Sequence, residues 1–159
     1  MNYFELFNIP VSVTVDKTSL AKKYFELQKK FHPDFFAQED EVTQEDALEK
    51  TSELNKAFKI FKDRDATIQY LLKIKGLLQE EEKYPLPPDF LMEVMELNEN
   101  LSEDSAVAIA DFEQDIYAAV SNIIEHYNDA TASTQDLLRL KEYYYKKKYL
   151  QRILDRIAG

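Results

Sequence analysis

His32 and Asp34 stand two positions apart with Pro33 between them. An imidazole beside a carboxylate has the composition of an acid–base pair. The run Glu80, Glu81 and Glu82 has the composition of a cation site. Neither has the company that catalysis requires. No phosphate-cradling loop, activated nucleophile or zinc spacing accompanies them, and His126 is the only other histidine. The chain contains no cysteine, which removes disulfides, thiolate metal ligation and cysteine nucleophiles. The expectation is a chain that is not an enzyme and holds neither metal nor cofactor. Recognition is the chemistry left to His32 and Asp34.

The segment that leads into this pair is organised to present it. Over residues 20–31 the apolar positions are Leu20, Tyr24, Leu27 and Phe31, one face of a helix. Lys22, Lys23, Lys29 and Lys30 fall on the opposite face, with Glu26 among them. Asp16 is placed to cap this helix. Pro33 ends it, because it pushes His32 out of the α region and has no N–H to give. His32 and Asp34 therefore project from a turn beside a cationic helical face.

A second amphipathic stretch, residues 43–62, carries Ala47, Thr51, Leu54, Phe58 and Phe61 at helical spacing. The two stripes pair as an antiparallel hairpin with the His32–Asp34 turn at its exposed tip. Short helices flank the hairpin at residues 3–9, closed by Pro10, and at 66–74. Asp63, Arg64 and Asp65 form the polar break before the latter, and Gly76 is its stop. Residues 11–15 are a β-branched connector.

Residues 76–88 read as a linker or bend, with three consecutive glutamates and Pro85, Pro87 and Pro88. That makes two domains, 1–75 and 89–159. In the second, Asp89 is the expected cap of a helix over 90–101. Ser102 is the expected cap of a long helix to about His126, with Glu103 and Asp104 in its first turn. A turn covers 128–133, and Thr134 caps a last helix over 135–157. Three helices with short loops form an antiparallel bundle. The fold class is all-α.

Charge separates the halves. Residues 1–75 hold 13 acidic and 12 basic side chains, whereas residues 76–159 hold 17 and 8, within a net charge of −10. So acidic a chain makes a poor nucleic-acid binder. The aromatic and basic run from Tyr143 to Tyr149 keeps helical spacing and reads as core plus charge balance, not as a base-stacking platform. No apolar run is long enough to span a bilayer, and the N-terminus has no basic-then-apolar leader, so a cytoplasmic protein is expected. A monomer is the expected state.

The helix over 90–101 has two faces. Phe90, Val94, Leu97 and Leu101 lie within about 40° of one another and form the core stripe. Leu91, Met92, Met95, Glu96 and Glu99 cover the other side. Met92 and Met95 are the only methionines after the first residue, and flexible thioethers beside glutamates suit an adaptable contact surface.

Taken together, a short apolar opening, a basic helix, His32-Pro33-Asp34 and a second amphipathic helix resemble the J domain of DnaJ-type co-chaperones. The opening Met1, Asn2, Tyr3, Phe4, Glu5, Leu6 and Phe7, with Tyr70, Leu71 and Leu72, resembles the HscB branch, which serves iron–sulfur cluster assembly. Phe90, Leu91, Met92, Glu93, Glu96 and Leu97 resemble that family's C-terminal domain.

The resemblance covers essentially the whole chain. It implies stimulation of ATP hydrolysis by a heat-shock chaperone of HscA or DnaK type. His32, Pro33 and Asp34 would be the essential tripeptide, with Lys22, Lys23, Lys29 and Lys30 the docking face. It implies further that an IscU-type scaffold protein is held by Leu91, Met92, Met95, Glu96 and Glu99. An aromatic of the last helix would join them, Tyr143 by spacing or Tyr144 by a one-residue slip. Where many J domains carry a lysine after the aspartate, this chain has Phe35, which removes one charge contact. Two other readings differ: a J protein with another client, or a helical scaffold without chaperone activity.

Overall fold

Asp16 takes up extended backbone, and its Oδ2 accepts the Ser19 N–H at 2.8 Å, which starts the helix that carries the cationic face. A computed structural model describes residues 1–102 and 104–159. Among the described residues there are eight α-helices and no strand. In chain order they are α1 (Tyr3–Phe7), α2 (Lys17–Phe31), α3 (Glu41–Phe61), α4 (Arg64–Ile74), α5 (Pro88–Glu99), α6 (Ser105–Ala118), α7 (Ser121–Glu125) and α8 (Thr134–Ala158). They fall into two compact units, Met1–Ile74 and Lys75–Gly159.

In the first unit α2 packs along α3 as a hairpin, and α1 and α4 close it. The apolar stripes meet as their spacing requires. Phe4, Phe7, Leu20, Leu54, Ala57 and Phe61 are buried together, and Tyr24, Leu27, Phe31, Phe58 and Tyr70 pack around them. Phe4 and Phe61 rings lie 4.9 Å apart, and Tyr24 stacks on Phe58 at 4.1 Å. Full burial of one such side chain stabilises by about 1.5–3 kcal/mol, so this cluster dominates the unit.

Local capping moves two boundaries. Helix α3 begins at Glu41, earlier than the periodicity suggests, because Asp40 accepts the Thr43 N–H at 2.8 Å. Helix α4 begins at Arg64, because Asp63 Oδ1 accepts the Asp65 N–H at 2.9 Å and so makes the polar break a cap. Gly76 stands at φ 75°, the left-handed position expected after a helix.

The second unit surrounds α8. Its interior holds Phe90, Val94, Ile109, Ile116, Val120, Ile124, Leu140, Leu150 and Ile153. The expected long helix to His126 is broken into α6 and α7 at Ala119 and Val120. Val120 is buried at φ −122°, while the Ala119 carbonyl accepts from the Arg139 guanidinium and the Ala118 carbonyl from the Ser121 hydroxyl. Three caps also differ from expectation. Pro87 and Pro88 open α5, placing Asp89 inside its first turn, since proline fits a helix start that needs no N–H. Ser102 does not cap α6; its N–H donates to Ser105 Oγ at 2.8 Å. Glu103 lies outside the described residues. Ser133, one residue before Thr134, caps α8 through a reciprocal box with Asp136.

The proline-bearing stretch before α5 is pinned to α8. Glu82 pairs with Lys141 at 2.6 Å, and Tyr84 stacks on Tyr145 at 4.6 Å with 4° between the rings. Lys75 closes the same unit elsewhere through a 2.8 Å pair with Asp129, whose Oδ1 also accepts the Tyr127 hydroxyl. Among the described residues no helix is long and apolar enough to cross a membrane.

Candidate functional site

The turn between α2 and α3 is built from both helices. His32 leaves α2 with φ −59° and ψ 132°, the extended conformation a following proline demands. Residues Pro33–Phe36 then form one 3₁₀ turn, closed by the Phe35 N–H on the His32 carbonyl at 3.0 Å. Thr51 of α3 donates its hydroxyl to the Phe31 carbonyl at 3.1 Å, satisfying an orphan acceptor at the end of α2. Gln44 donates to the carbonyls of Ala37 and Glu39 and braces the far side of the loop.

Within that frame the Asp34 N–H donates to His32 Nδ1 at 3.2 Å. An Nδ1 that accepts is unprotonated, so the ring proton sits on Nε2. The 3.5 Å approach of Asp34 Oδ2 to the same nitrogen is then proximity and not an ion pair. The Asp34 side chain is 88% exposed, and the His32 side chain 47%. Both are open to a macromolecule and neither encloses a substrate.

Three of the four lysines expected on the cationic face, Lys22, Lys29 and Lys30, are exposed. Lys23 is not free: its Nζ donates to the Asn8 carbonyl at 2.7 Å, at the left-handed residue that closes α1. Two aromatic residues join this surface without having been singled out as functional. Phe25 on α2 is 65% exposed, and Phe35 is 66% exposed with its ring edge-on to His32 at 6.2 Å. Phe25 was findable, since helical spacing puts it between Lys22 and Lys29.

On α5, Phe90 and Val94 are buried, and Leu97 is half-buried beside them. Met92 is 68% exposed and Met95 49%. Glu96 and Glu99 are exposed and Leu91 partly so, which gives one apolar and acidic strip. Leu101, assigned to the core stripe, instead follows the end of the helix and is 40% exposed.

Tyr143, expected as the aromatic partner of this strip, is only 3% exposed and meets Tyr117 edge-on at 6.4 Å. A ring shut into the core has no surface to offer, so that assignment is corrected. Tyr144, the neighbouring choice, is partly exposed. Tyr145 is committed to its stack with Tyr84, and the run presents no row of free rings. His126 is exposed at the end of α7. Among the described residues no group of three or more His, Asp or Glu side chains is placed to hold a metal ion.

Residues 86–158 match the family model described as the HSCB C-terminal oligomerisation domain. The co-chaperone protein HscB homolog of Vibrio cholerae serotype O1 (strain M66-2) is 33% identical over the whole of both chains. The homolog from Vibrio vulnificus (strain CMCP6) is 39% identical over 71% of this chain and 70% of its own. The crystal structure of human co-chaperone protein HscB superposes with a TM-score of 0.79 at 27% identity, covering 99% of this chain and 81% of that one. The HscB chaperone from Vibrio cholerae superposes with a TM-score of 0.59 at 29% identity, covering 99% of each. A 33% identity carried from end to end, over the same helical fold, places the chain in the HscB family of co-chaperones.

Proposed function

We propose that this protein is an adaptor that carries an IscU-type iron–sulfur scaffold to a heat-shock chaperone of HscA or DnaK type and stimulates that chaperone's ATP hydrolysis. It turns over no small molecule itself and works in the cytoplasm. The observation that carries the reading is the His32–Asp34 turn, exposed and braced from both helices beside Lys22, Lys29 and Lys30. Cations on an otherwise acidic chain steer it to an acidic partner surface, and Phe25 and Phe35 add apolar contact there. Lys23 contributes by fixing α1 against α2.

The scaffold sits on the α5 strip of Leu91, Met92, Met95, Glu96 and Glu99, joined by Tyr144. Exposed thioethers supply adaptable apolar contact, and the glutamates select a cationic rim. Steady-state ATP hydrolysis by purified chaperones, titrated with the full chain across a salt series, tests the chaperone half. Stimulation that weakens steadily as salt rises is expected. Absence of stimulation at low salt with every chaperone tried overturns it.

A further inference from the structure

Between the stretch that precedes α5 and the C-terminal half of α8 lies a cavity of about 290 Å³. Tyr84, Tyr145 and Tyr149 form its aromatic walls, and Lys83, Lys148 and Arg152 converge on it. This concentration of cations runs against its surroundings, because residues 76–159 hold only 8 basic side chains against 17 acidic ones. Five of those eight lie elsewhere along the sequence or pair with other groups. Lys141 is engaged by Glu82 at 2.6 Å, and Lys146 by Glu142 at 3.8 Å. Lys83, Lys148 and Arg152 form no ion pair among the described residues; Lys148 lies only over the Tyr144 and Tyr145 rings, each at 6.0 Å.

Glu82 is the one carboxylate in the lining, and its charge is already answered by Lys141. The Tyr84 and Tyr145 hydroxyls are pushed above the usual phenol range, first by burial and then by neighbouring glutamates, so they remain donors. The Tyr145 hydroxyl reaches Glu82 Oε1 at 3.5 Å, whereas the three cations around the hollow have no carboxylate partner among the described residues. In a domain this acidic, unpaired like charges repel one another unless an anion sits among them.

We infer that this cavity binds a compact polyanion, a small ligand with clustered anionic oxygens of phosphate or polycarboxylate chemistry. Arg152 offers a two-pronged donor fork, Lys83 and Lys148 supply point charge, and the tyrosine walls exclude water from the ligand's body. The cavity volume matches a ligand of pyrophosphate or citrate size. It neither uses nor requires the exposed residues of α5 assigned above to the scaffold.

Backbone amide spectra of the full chain, titrated separately with pyrophosphate, citrate and an acidic hexapeptide, test the site. Saturable shifts centred on residues 83–86 and 145–152 are expected with one or both small anions. The double variant Lys148→Ala, Arg152→Ala should weaken that binding by about tenfold or more. Both positions are exposed, so the variant's spectrum should otherwise superpose on that of the parent. Response to pyrophosphate alone identifies phosphate as the source, and response to citrate alone identifies carboxylate. Shifts spread evenly over lysines in both units, or unaltered by the double variant, overturn the proposal. Binding of the hexapeptide with no response to either small anion overturns it in favour of a protein-docking surface.

Discussion

The Asp34 N–H donates to Nδ1 of His32 at 3.2 Å, so the backbone that follows Pro33 sets the imidazole's tautomer and its direction. Nε2 is left as a donor toward solvent, on a ring that Phe35 flanks edge-on. The tripeptide therefore acts as a unit. Proline fixes the turn, the turn brings the amide to the ring, and the aspartate carboxylate stays free.

His32→Gln should leave the fold unchanged, because the side chain is half exposed and touches no buried residue's core packing. Stimulation of chaperone ATPase should fall to the basal level while scaffold binding persists. The check is a parallel ATPase and binding titration of the variant. Parent-like stimulation would remove His32 from the mechanism.

Met92→Ala combined with Met95→Ala should cost about tenfold or more in scaffold affinity, since a few apolar anchors dominate most interfaces. Stability should hardly move, because the two side chains are 68% and 49% exposed. Calorimetric titration against the scaffold, alongside thermal melting, separates the two effects. Unchanged affinity would mean that the scaffold binds elsewhere.

The tyrosines of α8 should divide. Tyr143→Ala removes a ring that is 3% exposed and should destabilise the second unit by about 3 kcal/mol or more. Tyr144→Ala should leave the melting temperature close to the parent's and weaken scaffold binding. Denaturant midpoints and binding curves for both variants decide it, and equal destabilisation by the two changes would contradict the division.

Glu82 gives a pH signature. Its pairing with Lys141 and the Gln79 N–H hold its carboxyl below the usual range. A depressed folded value means that the contribution is complete above the unfolded carboxylate pKa, about 4.3, and fades as pH falls through the lower folded value. The parent should thus be more stable than Glu82→Gln at neutral pH, and the gap should close on acidification below that point. Melting both proteins from neutral to acid pH measures it. A gap independent of pH would show that Glu82 contributes through shape alone.

Most of the architecture was legible because it depends on periodicity. The stripes Leu20, Tyr24, Leu27, Phe31 and Leu54, Phe58, Phe61 meet as read, and Phe90 with Val94 turn inward so that Met92 and Met95 face solvent. Misreadings arise where a single local bond outweighs the period. Periodicity runs straight through Ala119 and Val120, yet the helix breaks there because Arg139 and Ser121 take over its carbonyls. Asp40, Asp63 and Ser133 shift helix starts by small steps, since several polar residues near a terminus can each supply the cap. Tyr143 shows the sharper difficulty. In three successive tyrosines a one-residue slip turns a core ring into a surface ring, and the residue types are the same either way.

The coupling of the two surfaces is tested most directly by steady-state ATP hydrolysis of the partner chaperone with this protein present, before and after the scaffold is added. Stimulation by the protein alone that rises further with scaffold, and loses only that further rise in the Met92→Ala, Met95→Ala variant, is the predicted result. Stimulation indifferent to the scaffold, or none at all, would contradict it.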